Sequence, residues 1–195
     1  MTPHFPRAGR SANRRELHAP AARSAFGFSL VELMFGIAIV AILMTIALPN
    51  FQTWMRNAQI RNAAESVANG LQRARAEAVS RNANIEFVMA AGSTWAVDYV
   101  PAFKPADAPA TPIDSRSSNE GSQDVTVAVL PAGATTITFN NLGAIQANAD
   151  ATATLSQIDV TGGAGSQSLR VTINVGGSSR MCDPSLAAGS SPRAC

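Results

Sequence analysis

The amino-acid sequence predicts an α+β chain in which one long N-terminal helix is followed by a small antiparallel β-sheet head. Three observations predict it. From Leu33 to Met55 there are 23 consecutive residues without a charge, most of them Leu, Ile, Val, Ala, Met or Phe, which is enough for a membrane-spanning helix. Beyond them Ile60, Ala64, Val67, Leu71, Ala74 and Ala78 recur at steps of four and three, the spacing that gathers residues on one helical face. After Asn82 the chain breaks into short runs rich in β-branched and aromatic residues, the pattern of strands.

The residues ahead of the apolar run orient it. Arg7, Arg10, Arg14, Arg15 and Arg23 precede it against a single acid, Glu16, so the positive-inside tendency keeps the N-terminus cytoplasmic and places the chain beyond the run on the exported side. A secretory signal would carry a small-residue cleavage site on the far side of a shorter apolar core. Here Leu48-Pro49-Asn50-Phe51 leads into an amphipathic helix, and the small residue at a suggestive junction is Gly27, ahead of the run. Cleavage there leaves the hydrophobic helix in the product.

Within that segment Glu32 needs a reason. A carboxylate at the centre of a bilayer helix costs about 2.5–3.5 kcal/mol, less near the interface, and is usually retained for a partner. The alternative is a side chain that snorkels to the headgroups. Pro49 lacks an N–H and breaks or bends a helix, or else marks an ordinary helix end at the membrane surface.

Gly27 followed by Phe28-Ser29-Leu30-Val31-Glu32, an apolar run and Pro49 resembles the class III signal of type IV prepilins and type II secretion pseudopilins. The resemblance covers about the first third of the chain. It implies a type IV pilin-like fold and a leader, 1–27, cut after Gly27 by a prepilin peptidase that also methylates Phe28. It further implies that Glu32 pairs with the N-terminal ammonium of a neighbouring subunit during assembly and that Pro49 loosens the helix as the subunit leaves the bilayer. The implied divisions are 28–49 for the transmembrane and filament-core half of the helix, 50–81 for its amphipathic half, and 82–195 for a periplasmic head. Removing the leader changes the charge. The whole chain carries +2, whereas ten basic and twelve acidic residues remain after Gly27, so the pI near 8.9 is no argument for nucleic-acid binding.

The amphipathic stripe extends one helix from about Phe28 to about Arg81. Asn69-Gly70 would read as a turn between strands, but inside the stripe it reads as a helical glycine that costs about 1 kcal/mol. The strands expected after it are Asn84–Met89, Thr94–Val100, Val125–Leu130, Thr135–Phe139, Thr154–Val160 and Ser168–Val175. Residues 101–124, rich in Pro, Ala, Ser and Asp, read as a long exposed loop.

Ile137-Thr138-Phe139-Asn140-Asn141-Leu142-Gly143 resembles a strand and turn of the GspH/FimT branch of minor pilins and pseudopilins. The tail over 176–195, with Gly177-Ser178-Ser179-Arg180-Met181-Cys182-Asp183-Pro184 and Pro192-Arg193-Ala194-Cys195, resembles the end of FimT-type minor pilins. Both cysteines lie in this tail on the exported side, where disulfides persist. A Cys182–Cys195 bridge is favoured over a zinc site, which needs four ligands in a processed chain that contains no histidine, since His4 and His18 both fall in the leader. The same absence removes Ser-His-Asp and Cys-His catalysis. Gly162-Gly163-Ala164-Gly165 lacks the Lys-Ser/Thr of a phosphate loop and reads as a turn. No enzymatic activity, metal or cofactor is expected.

Two functions are consistent with these features. One is structural, a minor pilin or pseudopilin that helps initiate a type IV pilus or type II secretion pseudopilus at its tip. Its implied partners are prepilin peptidase, other major and minor pilins or pseudopilins, the inner-membrane assembly platform and the lipid bilayer. The other is duplex DNA binding for uptake, because the resemblance to FimT-type minor pilins implies phosphate contacts from the basic tail, here Arg180 and Arg193, with Arg170 in the last expected strand. The tail departs from that pattern at Ser178, which replaces the first arginine of Gly-Arg-x-Arg. Non-specific affinity scales with the number of phosphates neutralised, and two readings of Arg180 and Arg193 stay open: phosphate contacts, or exposed charges around a disulfide loop.

Overall fold

The computed structural model describes residues 27–195; the rest of the expected leader, with its five arginines, His4 and His18, lies outside the described residues. The chain divides into two compact units, one ending at Ile42 and the other running over Leu43–Cys195. In the first, helix α1 (Leu30–Arg81) begins two residues later than expected because Ser29 caps it. The Ser29 Oγ accepts the Glu32 N–H at 3.1 Å and the Ser29 carbonyl accepts the Leu33 N–H at 3.1 Å, which provides for donors that have no partner inside the helix. Every residue of α1 up to Ile42 is exposed, most of them large and apolar, and the helix is long and apolar enough to cross a membrane.

In the second unit α1 runs on through Pro49. As the single-helix expectation has it, α1 is not interrupted there; the Thr53 hydroxyl donates to the Pro49 carbonyl at 3.2 Å, and the helix continues for about nine further turns at roughly 3.6 residues each. It stops at Asn82, which adopts φ 51°. The Asn82 and Ala83 N–H groups reach back to the carbonyls of Val79 and Ala78 at 3.3 and 3.1 Å, a Schellman closure. All six residues of the predicted stripe are buried to 1% exposure or less.

Nine strands come after the helix, in two sheets rather than the single sheet expected. The first sheet has the order β3-β2-β1-β5-β6, with β1 (Ile85–Met89), β2 (Trp95–Tyr99), β3 (Asp114–Arg116), β5 (Thr136–Phe139) and β6 (Ile145–Gln146). The second has the order β4-β7-β8-β9, with β4 (Thr126–Leu130), β7 (Gln157–Thr161), β8 (Leu169–Ile173) and β9 (Ser179–Cys182). Every pairing within the sheets is antiparallel. Phe87, Val97, Ile137 and Phe139 of one sheet and Ile158, Val160 and Val171 of the other join the α1 stripe in one core, each fully buried.

The expected loop over 101–124 is partly built into this head. It opens with a short 3-10 turn, Pro101–Phe103, and then supplies β3, whose Asp114 pairs with Val97 and Arg116 with Trp95. Ser122 is buried, its hydroxyl 2.7 Å from that of Ser93. Asp-Ser-Arg has neither the length nor the alternation of a strand, so its conformation comes from pairing with β2. The strand expected over Thr154–Val160 begins later, at Gln157, because Leu155 turns away to donate its N–H to the Thr136 carbonyl at 3.0 Å.

Candidate functional site: the N-terminal motif and the C-terminal tail

The expected processing junction lies outside any helix or strand. Gly27 and Phe28 precede the helix, both exposed, with Phe28 at 84%. Glu32 stands in the first turn of α1, where an anion is favoured by the positive end of the helix dipole. Its carboxylate has no hydrogen bond or ion pair among the described residues. An acid placed at the head of an exposed apolar helix, with no partner among the described residues, has its charge available to another molecule.

The tail is built on β9 and closed covalently. Cys182 and Cys195 are bonded, with their Cα atoms 5.1 Å apart, and Cys182 and Ala194 are buried. The Asp183 N–H donates to the Arg193 carbonyl at 2.7 Å, so the chain returns alongside itself as an isolated bridge between Asp183 and Ala194. Asp183 also accepts from the Ser185 N–H at 2.9 Å and the Ser185 hydroxyl at 2.6 Å. Those two bonds, with a smaller contribution from the Arg193 charge, hold the Asp183 carboxyl below its ordinary range.

The three arginines expected to meet DNA have separate settings. Arg170 lies opposite Asp159 across β7 and β8 and grips it with two bonds, Nε to Oδ1 at 2.6 Å and Nη2 to Oδ2 at 3.0 Å, which raises its pKa above the ordinary arginine value. Arg180 directs its Nη2 at the carbonyls of Pro192 and Ala194, 2.8 and 3.0 Å away. It thereby clasps the returning tail. Arg193 is exposed, and its guanidinium makes no hydrogen bond or ion pair among the described residues. Rather than Arg170 and Arg180, its neighbour across a cleft of about 150 Å³ is Arg61 of α1, with Gln167 and Asp183 in the lining. Arg61 lies off the buried stripe of α1 and is exposed, and no local pattern links it to a residue at the far end of the chain.

The turn after β5 is tied to this region by two glycines. Asn140 Oδ1 accepts the N–H groups of Leu142 and Ala144 at 3.0 Å each, and the Arg75 Nε of α1 donates to the Gly143 carbonyl at 2.9 Å. A Cβ on Gly177 would stand 2.5 Å from that same carbonyl oxygen, and its φ is +79°. Only glycine fits there. The strand-turn motif and the start of the tail are therefore neighbours. Arg75 was not singled out in the sequence; Gly143, whose carbonyl it meets, was the available signal. Among the described residues no cluster of His, Cys, Asp and Glu could hold a metal ion.

Residues 63–177 match the family model described as type II transport protein GspH, and residues 22–48 match the prokaryotic N-terminal methylation motif. Two crystal forms of the type IV minor pilin FimU from Pseudomonas aeruginosa (strain PAO1) are similar at 19% identity and a TM-score of 0.47, covering 66% and 67% of this chain and 97% and 92% of that one. None of the curated proteins matches the chain. With well over half of its length matched, from the helix stripe through the strand-turn motif to Gly177, this chain belongs to the type II transport protein GspH family.

Proposed function

We propose that the protein is a minor pilin or pseudopilin that enters a type IV pilus or a type II secretion pseudopilus and helps initiate assembly at its tip. The GspH family and the N-terminal methylation motif support a structural subunit of the pilin or pseudopilin kind. In this reading prepilin peptidase cuts after Gly27 and methylates Phe28, and the chain waits in the inner membrane with its head in the periplasm until the assembly platform extracts it. Pilins or pseudopilins already in the filament then receive it.

The observation that carries the proposal is Glu32, an acid without a partner among the described residues at the head of an exposed apolar helix. An isolated carboxylate is costly in hydrocarbon, and a methylated N-terminal ammonium on a neighbouring subunit would neutralise it while remaining charged itself. The test is Glu32→Gln in a strain without the wild-type copy, which keeps size and polarity but removes the charge. Filament number and secreted protein should fall although cleaved protein persists in the membrane. Normal assembly by that variant would sink the role given to Glu32.

Duplex DNA uptake is the second reading, and Arg193 facing Arg61 across one cleft favours it. Arg170 and Arg180 add less, because Asp159 and the tail carbonyls engage them. Binding of the protein to duplex DNA across a salt series should fall steeply with salt and weaken in Arg193→Ala. Equal binding by Arg193→Ala and the parent would remove the tail from this reading.

A further inference from the structure

The exposed apolar surface of α1 stops abruptly. Large apolar residues are exposed along the helix as far as Phe51, Trp54 and Met55, and then none is exposed until Val79. Arg56 is the first charged residue after Glu32, and burial in the head begins at Ile60. The edge of the apolar surface is aromatic. Phe51 and Trp54 are 55% and 66% exposed, and their rings pair with centroids 5.9 Å apart.

Counting places this edge. About 20 helical residues cross a hydrocarbon layer of about 30 Å, so a span that begins near Phe28 ends near Leu48. Phe51 and Trp54 come one helical turn or so later, at the level of the headgroups, where an amphipathic ring such as the Trp54 indole is favoured and the Phe51 ring packs beside it. The Trp54 indole combines a large apolar face with an N–H for a phosphate or ester oxygen. Arg56 comes within the same turn, and its guanidinium occupies the space beside Gly163, 3.1 Å from where a Cβ would stand. The Asn57 side chain accepts the Gln167 N–H at 2.9 Å, so the glycine turn between β7 and β8 is anchored immediately beside the aromatic pair.

We infer that Phe51, Trp54 and Arg56 form a collar that seats in the phospholipid headgroup layer where α1 leaves the bilayer. The inference rests on the membrane-anchored reading of the proposed function. Its occupant is lipid because the collar is continuous with the apolar span and changes chemistry from aliphatic to aromatic to cationic in the order in which a bilayer changes from acyl chain to ester to phosphate. Before assembly the collar sets how far the helix is immersed, and extraction into a filament must lift it out.

Tryptophan emission reads this directly, because the other tryptophan, Trp95, is buried in the head. The full-length protein and Trp54→Phe would be reconstituted into phosphatidylethanolamine and phosphatidylglycerol vesicles, with flotation confirming insertion. The emission that disappears in Trp54→Phe should be quenched more by a headgroup nitroxide than by bromine near the acyl-chain ends, and little by aqueous iodide. Dominant quenching by iodide, or by the deep bromines, in protein that floats would overturn the collar while leaving membrane anchoring intact. Failure to float would overturn the anchored reading and the collar with it.

Discussion

Gly70 lies directly under the indole of Trp95: a Cβ on Gly70 would stand 2.9 Å from the Trp95 Cε2 and 2.8 Å from the Phe87 Cε2. The two rings stack with centroids 5.7 Å apart, and the Trp95 Nε1 donates to Ser66 Oγ, one turn before Gly70, at 2.8 Å. Helix propensity alone makes Gly70→Ala stabilising by about 1 kcal/mol. Overpacking a filled core costs about 1–3 kcal/mol, and here two buried rings must both move. The variant should therefore unfold at lower urea concentration than the parent, and the sign decides the matter: a gain in stability would show that α1 can back away from the sheet.

Arg180 should behave as a clasp. Arg180→Ala removes both bonds to the Pro192 and Ala194 carbonyls and leaves the disulfide as the main restraint on the tail. Amide hydrogens of Asp183 and Ala194 should exchange faster, and Cys182–Cys195 should be reduced faster by a thiol. Arg180→Lys keeps the charge without the planar fork, so it should restore protection only in part. Unchanged exchange in Arg180→Ala would show that the residue is a free surface cation.

Glu86 on β1 carries a pH signature. Burial first, and then the charges of Asp150 and Asp98, raise its pKa above the ordinary glutamate value. The folded protein therefore holds this proton more tightly than the unfolded chain does, and stability falls as pH rises through the ordinary range near about 4.3 and on to the raised folded value. Glu86→Gln should be more stable than the parent at neutral pH, and the difference should vanish once the medium is acidic enough to protonate the unfolded chain as well. A constant difference at all pH values would assign the effect to packing.

Processing has a single expected junction. Gly27→Val should leave a precursor longer than the mature chain on a denaturing gel of cells that contain prepilin peptidase, and Phe28 should lack its methyl group by mass spectrometry. A cleaved product of the parental size would move the junction away from Gly27.

The helix was legible because its signals are local. The span without charge and the buried stripe each depend on residues within a few turns of one another, and 3.6-residue periodicity converts such spacing into a face. Strands β1, β2, β4 and β5 were legible for a similar reason, since alternation marks a half-buried strand. Asp114–Arg116, Ile145–Gln146 and Ser179–Cys182 were not. Each is short, polar or both, and becomes a strand through hydrogen bonds to a partner strand that the local pattern does not reveal.

The sequence by itself determined that this chain carries an apolar helix headed by Glu32, a head without histidine, and two cysteines near its C-terminal end. Those properties lie in residue identity and nearby spacing, which folding does not alter. Tertiary structure decided what each charged side chain has left to offer. Asp159 takes Arg170 and the tail carbonyls take Arg180, pairings made by strand register and chain return, while Arg61 and Arg193 come to line one cleft. It also gave Gly70 and Gly177 their reasons, because the clearance beneath a ring or beside a carbonyl exists only once distant segments have packed.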